Sequence, residues 1–218
     1  MSAHFRTKRA ASQPKLPRRY ARRMRSPIVY CGPMWGGKTE ALISRLVRAR
    51  LMDIETLAFN PVRNDRYGTT DIVAHSGATF PARAVATGQD LLDHVAAHRP
   101  QVVGIDEFFM IDAALDAVVE LAAQDIKVVV ATLDMDSEGK PWDSVGELLA
   151  MAEEVVKCPA VCATCKKDGF YTFRKGAAPA ERVLVGTADF YEPRCFACWR
   201  CGQDAKRADA GAESLFGG

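Results

Sequence analysis

Short continuous apolar runs alternate along this chain with stretches in which apolar residues recur every three or four positions. The continuous runs predict four buried β-strands. They are Ile28–Cys31, Glu55–Phe59, Gln101–Ile105 and Lys127–Thr132. Because helical patterns separate them, the sequence predicts an α/β fold with a mostly parallel sheet and helices on both faces.

The periodic stretches predict the helices between these strands. They are Lys38–Met52, a helix around Leu91–Ala96 that ends before Pro100, a helix around Leu115–Ala122 with Asp112 as its N-cap, and Val145–Val155. A long polar connection spans residues 60 to 88. In parallel sheets ligands bind beyond the carboxyl ends of the strands. The three stretches that suggest chemistry, residues 32–39, 106–107 and 133–136, all follow predicted strands.

Composition is that of a globular protein, with 218 residues of which 48% are hydrophobic and 26% charged. No apolar run reaches the roughly 18 residues that a membrane-spanning helix needs, so we expect a soluble protein with no membrane partner. We predict a basic disordered arm at 1–26, a phosphate-loop α/β domain at 27–157, a zinc-binding domain at 158–202 and a flexible tail at 203–218.

Charge is divided unevenly along the chain. The net charge is +2, yet residues 1–26 carry nine Lys and Arg and no acid, which leaves 20 minus 27, or −7, on the remainder. A targeting presequence and a nucleic-acid contact are both open readings of this arm. Pro14 and Pro17 would break an amphipathic helix, so a solvated tail is the preferred interpretation.

The stretch after the first strand fits the phosphate-loop pattern G-x-x-x-x-G-K-[ST]. It consists of Gly32, Pro33, Met34, Trp35, Gly36, Gly37, Lys38 and Thr39. Strand, glycine-rich turn and helix start together favour a nucleoside triphosphate site over an ordinary turn with a chance Lys-Thr. Lys38 would reach the β- and γ-phosphates, and the Thr39 hydroxyl would ligate Mg²⁺.

Asp106 and Glu107 end the strand that follows the second helix. Next to a phosphate loop, such an acidic strand end favours Mg²⁺ binding by Asp106 together with Thr39. The neighbouring Glu107 is then a candidate base for an attacking hydroxyl or water. The alternative is a surface Asp-Glu pair without function.

Six of the seven cysteines lie in the last third of the chain. Cys162 with Cys165 and Cys195 with Cys198 form two C-x-x-C pairs with 29 residues between them. Two such pairs supply four thiolates for a closed tetrahedral, structural Zn²⁺ site. A redox dithiol is the weaker reading, and Cys158 and Cys201 are possible competing ligands. This usage predicts a reducing, cytoplasmic compartment.

These motifs together resemble the type II thymidine kinases, a family with a RecA-like core and a small zinc domain. The resemblance runs from about Pro27 to Cys198. Besides the phosphate loop and cysteine pairs, it is carried by Ala74-His75-Ser76-Gly77, Thr132-Leu133-Asp134-Met135-Asp136, Gly139-Lys140-Pro141-Trp142, Tyr171-Thr172-Phe173-Arg174 and Val185-Gly186-Thr187-Ala188-Asp189-Phe190-Tyr191.

The resemblance implies roles for individual residues. Glu107 matches the base that deprotonates the 5′-hydroxyl of a deoxynucleoside as it attacks ATP. Further ATP-binding positions are Asn64, Asp65, Arg66, Asp106, Phe108 and Phe109. Nucleoside-binding positions are Met34, Met110, Leu133, Ser137, Trp142, Arg182, Val183, Leu184, Val185, Gly186 and Tyr191, several of them in the loop between the cysteine pairs that closes over the base. The implied cofactors are ATP, Mg²⁺ and structural Zn²⁺.

The sequence departs from the family pattern at the nucleoside pocket. Phe109 replaces a Gln, Met110 an aromatic residue, Ser137 another aromatic and Trp142 a Phe. Asn64 stands where the family has an Asp, unless Asp65 substitutes for it. These changes leave the ATP chemistry intact and concern the identity of the nucleoside.

The sequence therefore predicts a thymidine kinase that also accepts deoxyuridine. By the same resemblance we expect a homotetramer inhibited by dTTP. The alternative is a non-catalytic phosphate-loop and zinc-ribbon protein that binds a partner or nucleic acid. A binding module would not need Glu107 or Tyr191 at these spacings, so nucleic acid is the less favoured partner.

Overall fold

The centre of the fold is a six-stranded sheet in which every neighbouring pair is parallel. The structure, a computed structural model, describes residues 25–62, 71–176 and 190–216. The strands are β1 (Ile28–Cys31), β2 (Thr56–Pro61), β5 (Arg83–Val85), β6 (Val102–Ile105), β7 (Lys127–Thr132) and β8 (Glu154–Lys157), in the order β5-β2-β6-β7-β1-β8. A short hairpin, β3 (Ile72–Val73) and β4 (Thr79–Phe80), lies in the predicted polar connection.

Helices cover both faces of this sheet, as the apolar patterns predict. They are α1 (Lys38–Leu51), α2 (Gly88–His98), α3 (Ala114–Ala123) and α4 (Asp143–Met151). Successive side chains of a strand point to opposite faces, and Ile28 and Tyr30 accordingly pack with α1 residues. Val29 packs on the other face with residues of α2, α3 and α4. The α/β fold class is therefore confirmed.

The structure differs from the sequence prediction in two local features. The helix predicted for 145–155 ends at Met151, and β8 then adds an edge strand beside β1, with Ile28 opposite Glu154. The β-branched Val155 and Val156 suit this strand better than a helix. Asp112 is not a helix N-cap: Ala113 holds that position with φ 53°, while the Asp112 amide donates to the carbonyl of Ala86.

The cysteine-rich end folds as a small module of hairpins and one helix. Its strands are β9 (Ala160–Val161), β10 (Asp168–Gly169), β11 (Tyr171–Arg174) and β12 (Tyr191–Arg194), paired antiparallel as β9 with β10 and β11 with β12. Helix α5 follows, over Phe196–Phe216. It continues through residues from 203 onward, for which the sequence predicted a flexible tail.

Contacts with the module explain why this helix extends so far. The Lys206 ammonium lies 4.5 Å from the centre of the Phe173 ring and donates to the carbonyl oxygen of Arg174. These contacts anchor the middle of α5 on β11. Among the described residues no helix is long and apolar enough to cross a membrane.

Two glycines with opposite surroundings test the packing of the core. A Cβ at Gly104, on β6, would lie 2.6 Å from the Cδ1 of Leu46, which is fully buried. A Cβ at the exposed Gly146, in α4, would have no atom within 4 Å. We expect Gly104→Ala to destabilise the fold by about 1–3 kcal/mol through overpacking.

Gly146→Ala is the matched control and should stabilise by about 0.5–1 kcal/mol, because alanine restricts the unfolded chain and favours the helix. Urea unfolding monitored by circular dichroism measures both changes. Equal effects of the two substitutions would contradict this description of the β6–α1 contact.

Candidate active site and metal centre

Three loops meet at one edge of the sheet because their strands are neighbours. The order β6-β7-β1 places the carboxyl ends of these parallel strands side by side. Residues 32–37 follow β1, Asp106 and Glu107 follow β6, and Leu133 follows β7. The convergence predicted from the sequence is therefore present, and all three loops line one cleft.

The phosphate loop packs directly against the backbone of Cys158. A Cβ on Gly32 would lie 2.4 Å from the Cys158 carbonyl oxygen, and one on Gly36 would lie 2.7 Å from it. Gly32 also has φ 133°, a conformation that other residues rarely adopt. Close approach thus requires glycine at both positions, and at Gly32 the backbone conformation requires it as well.

Lys38 begins α1 and is buried, with 8% of its surface exposed. Its ammonium donates to the carbonyl oxygen of Pro33 at 2.6 Å, which directs it along the inside of the loop. Burial lowers the pKa of Lys38, while the carboxylates of Glu107 and Asp106 act in the opposite direction. A bound phosphate would supply negative charge in this same place.

Asp106 and Thr39 form the candidate magnesium site. The Thr39 hydroxyl lies 3.3 Å from both carboxylate oxygens of Asp106. Burial, and then the charge of Glu107, raises the pKa of Asp106 to about 7. A hydroxyl beside a buried carboxylate is an oxygen donor set that suits Mg²⁺, and a dication would offset the desolvation of the carboxylate.

Glu107 occupies a left-handed backbone conformation, with φ 46°. It precedes a 3₁₀ turn over Phe108–Met110, and its carbonyl oxygen accepts from the Met110 amide at 2.9 Å. This bend separates the two neighbouring acids, so that Asp106 is buried while Glu107 is half-buried and lines the cleft with Lys38. Non-glycine residues in this region carry strain that clusters at functional sites.

The four cysteines of the two C-x-x-C pairs converge in the small module. The sulfur atoms of Cys162, Cys165, Cys195 and Cys198 all lie within 4.8 Å of one another. Lys166, with φ 63°, completes the first knuckle by donating its amide to the Cys162 carbonyl at 3.0 Å. Four thiol sulfurs at this separation fit a tetrahedral zinc ion.

The two remaining candidate ligands stay outside this group. Cys158 is buried in the core cluster that contains Tyr30 and Leu42, and Cys201 is exposed on α5. Among the described residues, the four-sulfur group is the cluster of His, Cys, Asp or Glu that could hold a metal. The module therefore could hold zinc through the four predicted ligands.

Comparison with known families bears directly on these two sites. The family model described as thymidine kinase matches residues 26–199, which include the phosphate loop, the acid pair and all four cysteines. The chain belongs to the thymidine kinase family. Membership implies a kinase with ATP and thymidine as substrates, and it confirms the resemblance drawn from the motifs.

The nucleoside-pocket candidates do not all lie together. Met34 and Leu133 line the cleft with Glu107. Trp142 packs against Phe109 at 5.0 Å between ring centres, and Ser137 lines a second cleft beside helix α5. Met110 is half-buried on the 3₁₀ turn and Phe108 is in the core, so an ATP contact by Phe108 would use its backbone.

Of the remaining predicted binding residues, the structure describes only Tyr191. Tyr191 is buried on β12, with the Arg174 guanidinium 5.9 Å from its ring centre. Eight residues lie outside the described part of the chain, and their roles stay predictions. They are Asn64, Asp65, Arg66, Arg182, Val183, Leu184, Val185 and Gly186.

Two residues, one beside the cleft and one lining it, received no role from the sequence. The buried Thr172, on β11, accepts from the Met34 amide at 3.2 Å and so joins the zinc module to the phosphate loop. His75 stacks on Trp35 with 6.1 Å between ring centres and lines the same cleft. Both belong to motifs that carry the resemblance, but spacing alone does not show what they contact.

Asp106→Asn tests the magnesium assignment without removing an oxygen acceptor for Thr39. Since burial and Glu107 raise the pKa of Asp106, its charged form destabilises the fold at pH 8. We expect the free energy of unfolding at pH 8 to be unchanged or higher, whereas Mg²⁺-dependent ATP binding falls. Calorimetric titration and thermal melting measure the two quantities.

Asp93→Asn on the exposed face of α2 is the control and should change neither quantity. Full Mg²⁺-dependent ATP binding by Asp106→Asn would remove Asp106 from the site.

The zinc content of two variants, each with one neighbouring cysteine replaced, tests which cysteines are the metal ligands. Cys198→Ser should abolish stoichiometric zinc, because serine is a poor ligand in a four-thiolate site. Cys201→Ser, one helical turn further along α5, should retain it. Elemental analysis of the purified proteins decides between them, and zinc loss from the Cys201 variant alone would reassign the ligand set.

Proposed function

We propose that this protein transfers the γ-phosphate of ATP to the 5′-hydroxyl of thymidine, and that it also accepts deoxyuridine. The observation that carries the proposal is the shared cleft of Glu107, the phosphate loop and Leu133. In this cleft the Glu107 carboxylate, which could accept a proton, lies with the groups that would hold the transferred phosphate. The family match supports the same chemistry.

The chain's own residues divide the reaction between binding and proton transfer. Backbone amides of the phosphate loop and the N-terminal end of α1 hold the phosphates. Lys38 neutralises charge that develops on the transferred group. Glu107 accepts the proton of the 5′-hydroxyl as its oxygen attacks the γ-phosphorus, while the bond from that phosphorus to the β,γ-bridging oxygen breaks and ADP leaves. Mg²⁺, held by Thr39 and Asp106, would neutralise the phosphate oxygens.

The nucleoside would bind on the side of the cleft formed by Met34 and Leu133. Thr172 holds the Met34 amide, so the zinc module contributes to the position of this wall. We place the product, thymidine monophosphate, in cytoplasmic nucleotide salvage. A homotetramer inhibited by dTTP is inferred from the family resemblance.

Glu107→Gln tests the assignment of the base. The amide cannot accept the proton, so we expect turnover of thymidine to fall by about 10²–10⁴-fold while ATP binding is retained. The control is Glu147→Gln, an exposed residue of α4, which should keep full turnover. Steady-state kinetics with thymidine, deoxyuridine, deoxycytidine and deoxyguanosine provides the measurement.

The pattern across these nucleosides decides the specificity. Turnover of thymidine and deoxyuridine that is lost in Glu107→Gln supports the whole proposal. Turnover restricted to another nucleoside would retain the chemistry and reject the substrate, and no turnover on any of them would favour a non-catalytic binding protein.

A further inference from the structure

Two side chains of helix α5 donate to the same backbone oxygen in the phosphate-loop domain. The indole N–H of Trp199 lies 3.1 Å from the carbonyl oxygen of Ser137, and the side-chain amide of Gln203 lies 2.8 Å from it. Since a carbonyl oxygen has two lone pairs, both donors can be accepted together. This pair of hydrogen bonds links the zinc module to the turn after β7, residues 134–141.

Trp199 is held in place by the backbone of the four-cysteine cluster and by a neighbouring ring. It follows the candidate ligand Cys198, and its backbone amide donates to the carbonyl of Cys195, another ligand, at 2.9 Å. Its ring stacks on Tyr171 at 4.8 Å between centres and is 9% exposed. The position of the indole N–H is therefore set by the cysteine knuckle and by β11.

The turn that receives these bonds is tightly organised and fits closely against the indole. One carboxylate oxygen of the buried Asp136 accepts from the amides of Glu138 and Lys140, at 3.0 and 2.9 Å. Gly139 has φ 77°, and a Cβ there would lie 2.9 Å from the Trp199 ring. The turn is thus closed by hydrogen bonds of its own and packs closely against the indole.

Both ends of this turn reach the proposed nucleoside side of the active site. At its start, Leu133 lines the cleft with Met34 and Glu107. At its end, Trp142 packs against Phe109, which belongs to the 3₁₀ turn directly after Glu107. A shift of the Ser137 carbonyl would therefore change the part of the cleft wall that Leu133 forms.

We propose that Trp199 and Gln203 are positioning residues, through which the zinc-binding module fixes the nucleoside side of the active site. The inference rests on the proposed kinase function and assigns the metal centre a second task there. Besides closing its own fold, the metal centre holds the turn between Leu133 and Trp142 in place. The groups that would hold the ATP phosphates, Lys38 and the loop amides, make no bond to this turn, so ATP binding should depend on the link much less than nucleoside binding does.

Paired donor substitutions test the link. Trp199→Phe keeps an aromatic ring against Tyr171 but removes the donor, and Gln203→Met keeps the side-chain length but removes its amide. Because either donor alone can hold the carbonyl, we expect each single variant to change the KM for thymidine less than about twofold, and the double variant to raise it about five- to tenfold. The KM for ATP and the zinc content should stay at wild-type values.

Hydrogen exchange supplies a readout that does not depend on activity. Backbone amides of residues 134–140 and 142 should exchange faster in the double variant. They should exchange equally fast when zinc is removed from the wild-type protein by a chelator. Gln89→Met is the matched control, since Gln89 donates to Asp93 on the exposed face of α2. It should alter neither exchange in the turn nor either KM.

Each outcome decides the proposal. Unchanged exchange in the turn, or an unchanged KM for thymidine in the double variant, would overturn it. If the double variant fails to fold, Gly139→Ala disturbs the same contact from the other side and should give the same selective rise in KM. Wild-type protein that phosphorylates no nucleoside would overturn the proposed function and the nucleoside role together, and the exchange data would then show only whether the module holds the turn.

Discussion

The candidate active site depends on a contact between two stretches of backbone, the phosphate loop and the carbonyl of Cys158. Gly32 and Gly36 approach that carbonyl so closely that no side chain fits at either position. Cys158 itself is held by a hydrogen bond from its amide to the Cys31 carbonyl at 2.8 Å, just beyond the last strand of the sheet. The chain then enters the zinc module. One short segment therefore supports the phosphate loop and sets where the module begins.

The charged groups in the cleft lower the stability of the folded state, because they are removed from water. Lys38 and Asp106 are both buried, and burial disfavours the charged form of each. Such groups usually mark sites where a ligand compensates the lost hydration. The left-handed conformation of Glu107 adds local strain, but it turns the second carboxylate into the cleft. The buried charges and the strained backbone lower the stability of the unliganded fold. A bound nucleotide and cation would raise it again by compensating these charges.

The small module is hydrogen-bonded to the phosphate loop and to the turn after β7, and so contacts the candidate active site directly. Thr172 accepts from the phosphate loop, while Trp199 and Gln203 donate to the turn after β7. A module of two short hairpins has little apolar core, so a metal ion is the usual means of fixing its shape. The precision of the cleft walls is consequently tied to the four cysteines, although none of them lines the cleft.

The sequence by itself determined the elements whose signals are local. Strands β1 and β7 begin and end where the apolar runs predict, and the phosphate loop, the acid pair and the cysteine pairs were evident from residue type and spacing. The parallel order of strands then brings the loops together, because their carboxyl ends share one edge. These features need only short-range patterns and a general rule of topology.

Tertiary structure decided what no local pattern encodes. Val155 and Val156 form an edge strand because β1 offers an unpaired edge beside them, and α5 extends past residue 203 because Phe173 and Ser137 lie beneath it. Trp199 and Ser137 are 62 residues apart, and their bond joins a side chain to a backbone oxygen that every residue has. Because every residue has such a backbone acceptor, the residue type at position 137 does not reveal the contact. Only the folded structure shows it.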